Sequence, residues 1–267
     1  MSEIADEWDL ARLLEIAVFA ARAGGDVVRR AYDTAPEGRA KGRGDWVSDV
    51  DHTSEQVVRD VLVSAAPGLA FLGEESGGSL DAPGWVVDPL DGTTNFLRRL
   101  PAVGVSIAFV AGGRPLVGVV YAPMLDETYT ASRGGGAHRD GVPVRVADRK
   151  PARAICATGF PFREHQLERF GEYKPVLDRA LDDFEDLRRV GAASLDLAWT
   201  ASGSLDGYFE LGLGQWDVAA GALLVEEAGG VITDWSGDPL AWLSSGDIVA
   251  GSPAVHTRLL EIIAATR

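Results

Sequence analysis

Apolar residues recur at helical spacing near the start of the chain, where Leu10, Leu13, Leu14, Ala17 and Ala21 mark an amphipathic helix interrupted by charges. A second helical pattern carries Val57, Val58, Val61 and Leu62, with Asp51 or Thr53 as its N-cap. The period then shortens to that of strands. Leu69-Ala70-Phe71-Leu72 and Trp85-Val86-Val87 are short apolar runs that predict buried strands, the second ending at Asp88, where Pro89 forces a turn. Val103 to Val110, Leu116 to Tyr121 and Thr128 to Ala131 are rich in β-branched and aromatic residues. Gly112-Gly113 and Pro123 separate them, which predicts an antiparallel meander. Gly134-Gly135-Gly136 lacks dinucleotide-loop spacing and reads as a turn in this sheet.

Beyond Pro151 strands and helices alternate. Strands are expected at Ala154 to Thr158, Asp186 to Val190, Tyr208 to Leu211, Val231 to Thr233 and Ile248 to Ala250. Helices are expected around His165 to Ala180, at Ser194 to Ser202, at Val218 to Ala228 and from Pro253 onward. An antiparallel first part and an alternating second part predict an α/β protein with two subdomains and a site between them. The first, residues 1–147, is α+β with an antiparallel sheet; the second, residues 148–267, is α/β.

Composition narrows the chemistry. With 267 residues, 46% of them hydrophobic, the chain can bury a large core. Its formal net charge of −15 repels polynucleotides and anionic membranes, so neither is expected as a main ligand. The single cysteine, Cys156, excludes an intramolecular disulfide and a cysteine-based zinc site, and its apolar neighbours place it in the core. His52, His138, His165 and His256 share no ligand spacing. No apolar run reaches the length of a membrane span and the acidic N-terminus is no signal peptide, so a cytoplasmic location is expected.

The chemistry concentrates in carboxylates. Asp88-Pro89-Leu90-Asp91-Gly92-Thr93-Thr94-Asn95 brings two acids, a free carbonyl and a row of backbone amides to one point. One acid suffices for a turn; two so close repel, which points to a bound cation. Carboxylates and a carbonyl suit a hard cation, and amides at a helix start suit phosphate oxygens. Gly73-Glu74-Glu75-Ser76 supplies two more acids after a strand, Asp45, Asp49 and Asp51 precede the second helix, and Asp217 opens the helix after Gly214 as its N-cap.

These segments, with Gly191-Ala192-Ala193-Ser194 and Trp216-Asp217-Val218-Ala219-Ala220-Gly221, resemble in order and approximate spacing the inositol monophosphatase family of magnesium-dependent, lithium-sensitive sugar phosphatases. The resemblance implies a layered α-β-α-β-α fold, a homodimer and two or three Mg²⁺ ions. It implies that Glu74, Asp88 and the Leu90 carbonyl bind the first ion and Asp88, Asp91 and Asp217 the second, with Glu74 helping a weaker third. It gives Glu74, Thr93 and Asp51 the catalytic task of activating water, Thr93 being linked to Asp51. It assigns Leu90, Asp91, Gly92 and Thr93, together with Gly191, Ala192, Ala193, Glu210 and Asp217, to the substrate, with Glu210 reading ring hydroxyls. The implied reaction is hydrolysis of inositol 1-phosphate. Ala192 stands where animal members carry threonine, and the Lys41 to Asp45 loop, mobile in the family, displaces its basic residue by one position. Histidinol phosphate, fructose 1,6-bisphosphate, a nucleotide 3′-phosphate and NADP remain alternative substrates, and a non-catalytic metal-binding or regulatory protein is the alternative of another class.

Overall fold

A computed structural model of the chain describes residues 5–34 and 37–266. The amphipathic N-terminal pattern forms α1 (Leu10–Ala31), capped by Asp9, and a hairpin of β1 (Gly38–Gly42) and β2 (Asp45–Ser48) leads into α2 (Asp49–Ala65). Eight strands make the first sheet: β3 (Ala70–Gly73), β4 (Gly77–Gly78), β5 (Gly84–Asp91), β6 (Gly104–Ala111), β7 (Arg114–Ala122), β8 (Glu127–Ser132), β9 (Gly136–Arg139) and β10 (Val142–Pro143). Their spatial order is β10-β9-β8-β7-β6-β5-β3-β4, antiparallel except for the β3/β5 pair. Between β5 and β6 lies the short α3 (Thr93–Leu97).

The remaining elements are β11 (Ile155–Thr158), α4 (Glu164–Leu167), α5 (Phe170–Asp183), β12 (Asp186–Arg188), α6 (Ala193–Ala201), β13 (Gly207–Glu210), α7 (Gln215–Glu227), β14 (Val231–Thr233), α8 (Trp242–Ser245), β15 (Ile248–Gly251) and α9 (Pro253–Thr266). They build a five-stranded sheet ordered β12-β11-β13-β15-β14. Helix α1 packs on β6 and β7 and α2 on β5; α7 packs on β6 and β7 and also on β14, while α6 touches β13; α5 and α9 lie together, α9 against β15. The layering is therefore α-β-α-β-α, as the resemblance implies.

Helices α6 and α7 are buried almost all round, because each is sandwiched between sheets; this is why their sequences lack a polar stripe. Gly118 makes the contact close: a Cβ there would lie 2.8 Å from the Ala220 carbonyl of α7. One apolar cluster joins Val86, Ala108, Val120 and Tyr129 to Leu197, Tyr208, Leu223 and Ala250, spanning the two sheets across the middle helices. Cys156 is fully buried, as expected of a core residue. No helix among the described residues is long and apolar enough to cross a membrane.

Several expectations need correction. Strand β5 does not end at Asp88 but continues to Asp91. The helix expected from His165 to Ala180 is two, broken near Arg169, whose guanidinium holds Asp247 at 2.6 and 2.8 Å. Strand β12 stops at Arg188, short of Val190, whose carbonyl accepts from Asn95 Nδ2 instead of a sheet partner. The second sheet is mixed: β11 runs parallel to β12 and β13, whereas β15 runs antiparallel to both its neighbours. The Lys41 to Asp45 loop forms the tip of the β1/β2 hairpin. Neither Asp51 nor Thr53 caps α2, since Ser48 does. Likewise Gly214, not Asp217, is the N-cap of α7.

Candidate active site

Strand β5 departs from regular pairing at the acids. Asp88 lies opposite Ser106 and Asp91 opposite Gly104, so three steps on β5 match two on β6. Alternation would send residues three apart to opposite faces; the extra residue in Pro89-Leu90 resets the parity, and both carboxylates face the same way. Proline is tolerated there because a bulge needs no ladder N–H from it. The Leu90 N–H donates to Asp88 Oδ1 at 2.9 Å, and the Pro89 carbonyl accepts from Ser54 Oγ of α2 at 2.9 Å. Gly92 then turns the chain into α3 with φ +88°, and a Cβ on it would sit 2.9 Å from the Ala102 carbonyl.

Asp51 and Asp217 are held alike, each as the third residue of a helix with its carboxylate turned back on the cap. The Ser48 N–H and hydroxyl donate to Asp51 Oδ2 at 2.8 and 2.6 Å. The Gly214 N–H donates to Asp217 Oδ2 at 2.6 Å. This satisfies donors that the helix leaves free and fixes both acids with no conformational choice. The Asp91 carboxylate, in turn, accepts from the Ser194 N–H at 2.7 Å and hydroxyl at 2.6 Å, at the start of α6.

Asp88, Asp91 and Asp217 thereby bring carboxylate oxygens within 4.8 Å of one another. All three are buried. Burial, reinforced by Glu74, Asp91 and Asp217, raises the Asp88 carboxyl well above its ordinary range; burial and Asp217 push Asp91 up to about 6 despite its bonds to Ser194. Asp217 is raised chiefly by burial. Glu74, pushed up to about 8 by burial and by Asp217, follows β3 and stands beside the three; its Oε1 lies 3.4 Å from Lys41 Nζ, which bonds Glu75 Oε1 at 2.6 Å. Three buried acids and the half-buried Glu74, which resist ionisation together, form a site that a cation would relieve. The donors are all oxygen, as Mg²⁺ prefers.

A cavity of about 370 Å³ opens onto this cluster. Glu74, Asp88, Leu90, Asp91, Gly92, Thr93, Gly191, Ala192, Ala193, Glu210 and Asp217 all line it. Asp51 does not: it is fully buried behind Thr93, whose hydroxyl donates to Asp51 Oδ1 at 2.9 Å and lies 3.1 Å from the Leu90 carbonyl. Glu210 ends β13, an interior strand, with its carboxylate accepting from the Tyr208 hydroxyl; it is no solvent-facing edge acid. Burial pushes it up to about 7, against the pull of Tyr208 and Arg189. Gly159 makes room for it, since a Cβ there would fall 1.9 Å from the Glu210 carboxylate.

Sequence reasoning overlooked several residues that build the site. Asn95 donates from one amide nitrogen to the Ala102, Val190 and Gly191 carbonyls, tying the turn after β5 to the Gly191 loop; its being the only asparagine in the chain was a signal with no role attached. Ser194 lay in a recognised motif without a partner. Glu55 accepts from the Glu75 and Ser76 N–H groups at 2.9 and 2.8 Å, clamping the Glu74 loop, and nothing in its helical pattern marks it. Arg163 and Arg189 line the cavity too, and no motif points to them.

Comparison with known proteins agrees with this geometry. The profile of the inositol monophosphatase family matches residues 9–267. The chain is 44% identical over 254 residues to the Nus factor SuhB of Salmonella typhimurium, covering 93% of this chain and 94% of that protein. Among solved structures, it superposes with the extragenic suppressor protein suhB of Bartonella henselae at a TM-score of 0.87 and 36% identity, covering 93% of this chain and 97% of that one. The inositol monophosphatase of Anabaena sp. PCC 7120 superposes at 0.85 with 34% identity, covering 97% of both chains. Acid cluster, layering and similarity along nearly the whole length agree: the chain belongs to the inositol monophosphatase family of phosphatases.

Proposed function

We propose that the protein is a Mg²⁺-dependent phosphomonoesterase that hydrolyses inositol 1-phosphate to inositol and phosphate. The observation that carries this reading is the convergence, on one cavity, of the Asp88, Asp91 and Asp217 cluster with Glu210. Glu74, Asp88, the Leu90 carbonyl, Asp91 and Asp217 would hold the metal. When bound, Mg²⁺ neutralises phosphate oxygens, acidifies water and stabilises charge on the leaving oxygen.

The chain's own groups do the rest. Thr93 spends its proton on Asp51, so its lone pairs face the cavity and accept a hydrogen bond from the attacking water, which Glu74 orients from the other side. The Gly92 and Thr93 amides would take phosphate oxygens. On the alcohol side, the Glu210 carboxylate accepts from neighbouring hydroxyls, while Gly191, Ala192 and Ala193 leave a smooth wall against the ring. The Ala192 side chain offers no hydroxyl, which places most of the polar reading on Glu210.

Phosphate release from inositol 1-phosphate, histidinol phosphate, fructose 1,6-bisphosphate and NADP, with and without Mg²⁺, tests the reading. The expected result is Mg²⁺-dependent turnover with the highest kcat/KM for inositol 1-phosphate; preference for another ester would keep the mechanism and change the substrate. A second reading rests on the relatives named Nus factor: the chain serves as such a factor without catalysis, and it requires no release from any of the four.

A further inference from the structure

Arg163 is the N-cap of α4, and its backbone is pinned: its N–H donates to Gln166 Oε1 at 3.2 Å, and the buried Gln166 amide donates to the Leu211 carbonyl at 3.0 Å. Leu211 lies between Glu210 and Asp217, so Arg163 is tied to the stretch of chain that carries both acids. It lines the same cavity as Glu74, Asp88, Asp91, Glu210 and Asp217. Its Nη2 stands 4.0 Å from Asp45 Oδ1, too far for a hydrogen bond. Its charge is felt across the cluster. Burial raises Asp217, Asp91, Glu74 and Glu210, and Arg163 draws each of the four back down. Burial likewise opposes the Arg163 charge, and Asp217, Asp45, Glu74 and Glu210 outweigh it. Lys41, the cation on the Glu74 side, is matched by Glu75 at 2.6 Å.

Three of the four acids that Arg163 acts on, Glu74, Asp91 and Asp217, are groups that would hold Mg²⁺. We propose that Arg163 is a resident counter-cation of the acid cluster: it steadies the metal-free site and opposes the ion's charge, so that Mg²⁺ is an exchangeable activator and not a permanently held cofactor. The proposal rests on the Mg²⁺ reading of the cluster and is independent of which ester is cleaved. Two effects act in the same direction. In the metal-free protein the guanidinium relieves repulsion among acids buried together, which lowers the free energy of that state. In the loaded protein it stands as a like charge beside a divalent ion, which raises the free energy of that state. The guanidinium has no lone pair with which to become a ligand itself and does not give up its proton, so its charge persists whatever is bound. Asp45, on the β1/β2 hairpin, offers it a direction in which to lean when the cluster is filled, so only part of the repulsion reaches the binding constant.

The test uses the full chain, stripped with a chelator and dialysed free of it, and titrates Mg²⁺ alone by isothermal calorimetry, with the Mg²⁺-induced rise in Tm as second readout. R163Q should bind Mg²⁺ about tenfold more tightly than wild type, which is about 1.4 kcal/mol, and show the larger rise in Tm at equal Mg²⁺. R163K, which keeps the charge, should stay within about threefold of wild type. R163M, which keeps the aliphatic stem without the charge, should match R163Q and replaces it if R163Q does not fold. A neutral variant whose Kd is within about threefold of wild type, or higher, overturns the counter-cation. So does an R163K that tightens as much as the neutral variants, since the effect then belongs to packing and not to charge. In either case Mg²⁺ binding by the wild-type protein leaves the metal reading standing. No Mg²⁺ binding by wild type or any variant, in either readout, overturns both.

Discussion

Stripping the metal from this protein should make it less stable as the pH rises, and Asp91→Asn should reverse much of that loss. Asp91 and Glu74 have folded pKa values above their ordinary ones, about 6 against 3.8 and about 8 against 4.5. For such carboxylates the folded state holds the proton more tightly than the unfolded chain. Their contribution is therefore fully present below the unfolded value and lost as pH rises through the folded one. The window runs from about 4 to 6 for Asp91 and from about 4.5 to 8 for Glu74. Two pKa units on Asp91 correspond to about 3 kcal/mol at pH 8. Asparagine keeps the shape, accepts from Ser194 through its oxygen and offers its amide to Asp88 and Asp217. It gives up the charge-assisted part of the Ser194 bonds, about 1 kcal/mol. The net gain of about 2 kcal/mol raises Tm by roughly 4–8 °C in a chelator at pH 8. Mg²⁺ at about a hundredfold over its Kd should restore wild-type stability by about 2.7 kcal/mol and do far less for the variant. Differential scanning fluorimetry at pH 5 and pH 8, with chelator or Mg²⁺, reads all of this. A wild-type Tm insensitive to Mg²⁺, or an Asp91→Asn variant that melts lower than wild type in chelator at pH 8, would refute the reasoning. The same variant should lose turnover while keeping its fold.

Further expectations follow from single contacts. Thr93→Ala should lower kcat by about 10²-fold or more with Mg²⁺ saturating and, because it leaves the buried Asp51 Oδ1 without its donor, cost about 1–2 kcal/mol of stability while the Ser48 bonds keep Asp51 in place; a variant as fast as wild type would remove Thr93 from catalysis. Ser194→Ala removes the hydroxyl that Asp91 accepts and should cost about 1–2 kcal/mol in urea unfolding with Mg²⁺ present. Gly159→Ala drives a methyl into the Glu210 carboxylate and should raise KM for inositol 1-phosphate at least severalfold, with unchanged KM counting against Glu210 as the alcohol reader. His256, pushed down to about 4 by burial and set 3.0 Å from the Thr233 hydroxyl, opposes the carboxylate trend. Its depressed value contributes stability above pH 6.5 that is lost as pH falls toward 4, so His256→Gln should flatten the acid limb of Tm against pH.

The sequence by itself determined the local chemistry and most of the elements. Strand and helix periods are local, so β6, β7, β8, α6, α7 and α9 were legible, and the Asp88 to Asn95 run marked itself as a candidate cation and phosphate site because carboxylates, carbonyl and amides sit within eight residues of chain. Tertiary structure decided what depends on partners far along the chain. Whether Asp88 and Asp91 point the same way depended on a bulge that exists only in register with β6. The caps of α2 and α7 moved to Ser48 and Gly214 because an acid three residues on turns back to the cap N–H, a geometry that a sequence pattern does not distinguish from capping by the acid itself. The β12 boundary, the break at Arg169 and the tie from Asn95 to the Gly191 loop each follow from hydrogen bonds to distant residues. Arg163 and Arg189 reach the cavity wall only in the assembled fold. A side chain's partner, or the lack of one, is a property of the assembled fold, since hydrogen bonds and charges act over a few ångströms of space whatever the separation along the chain.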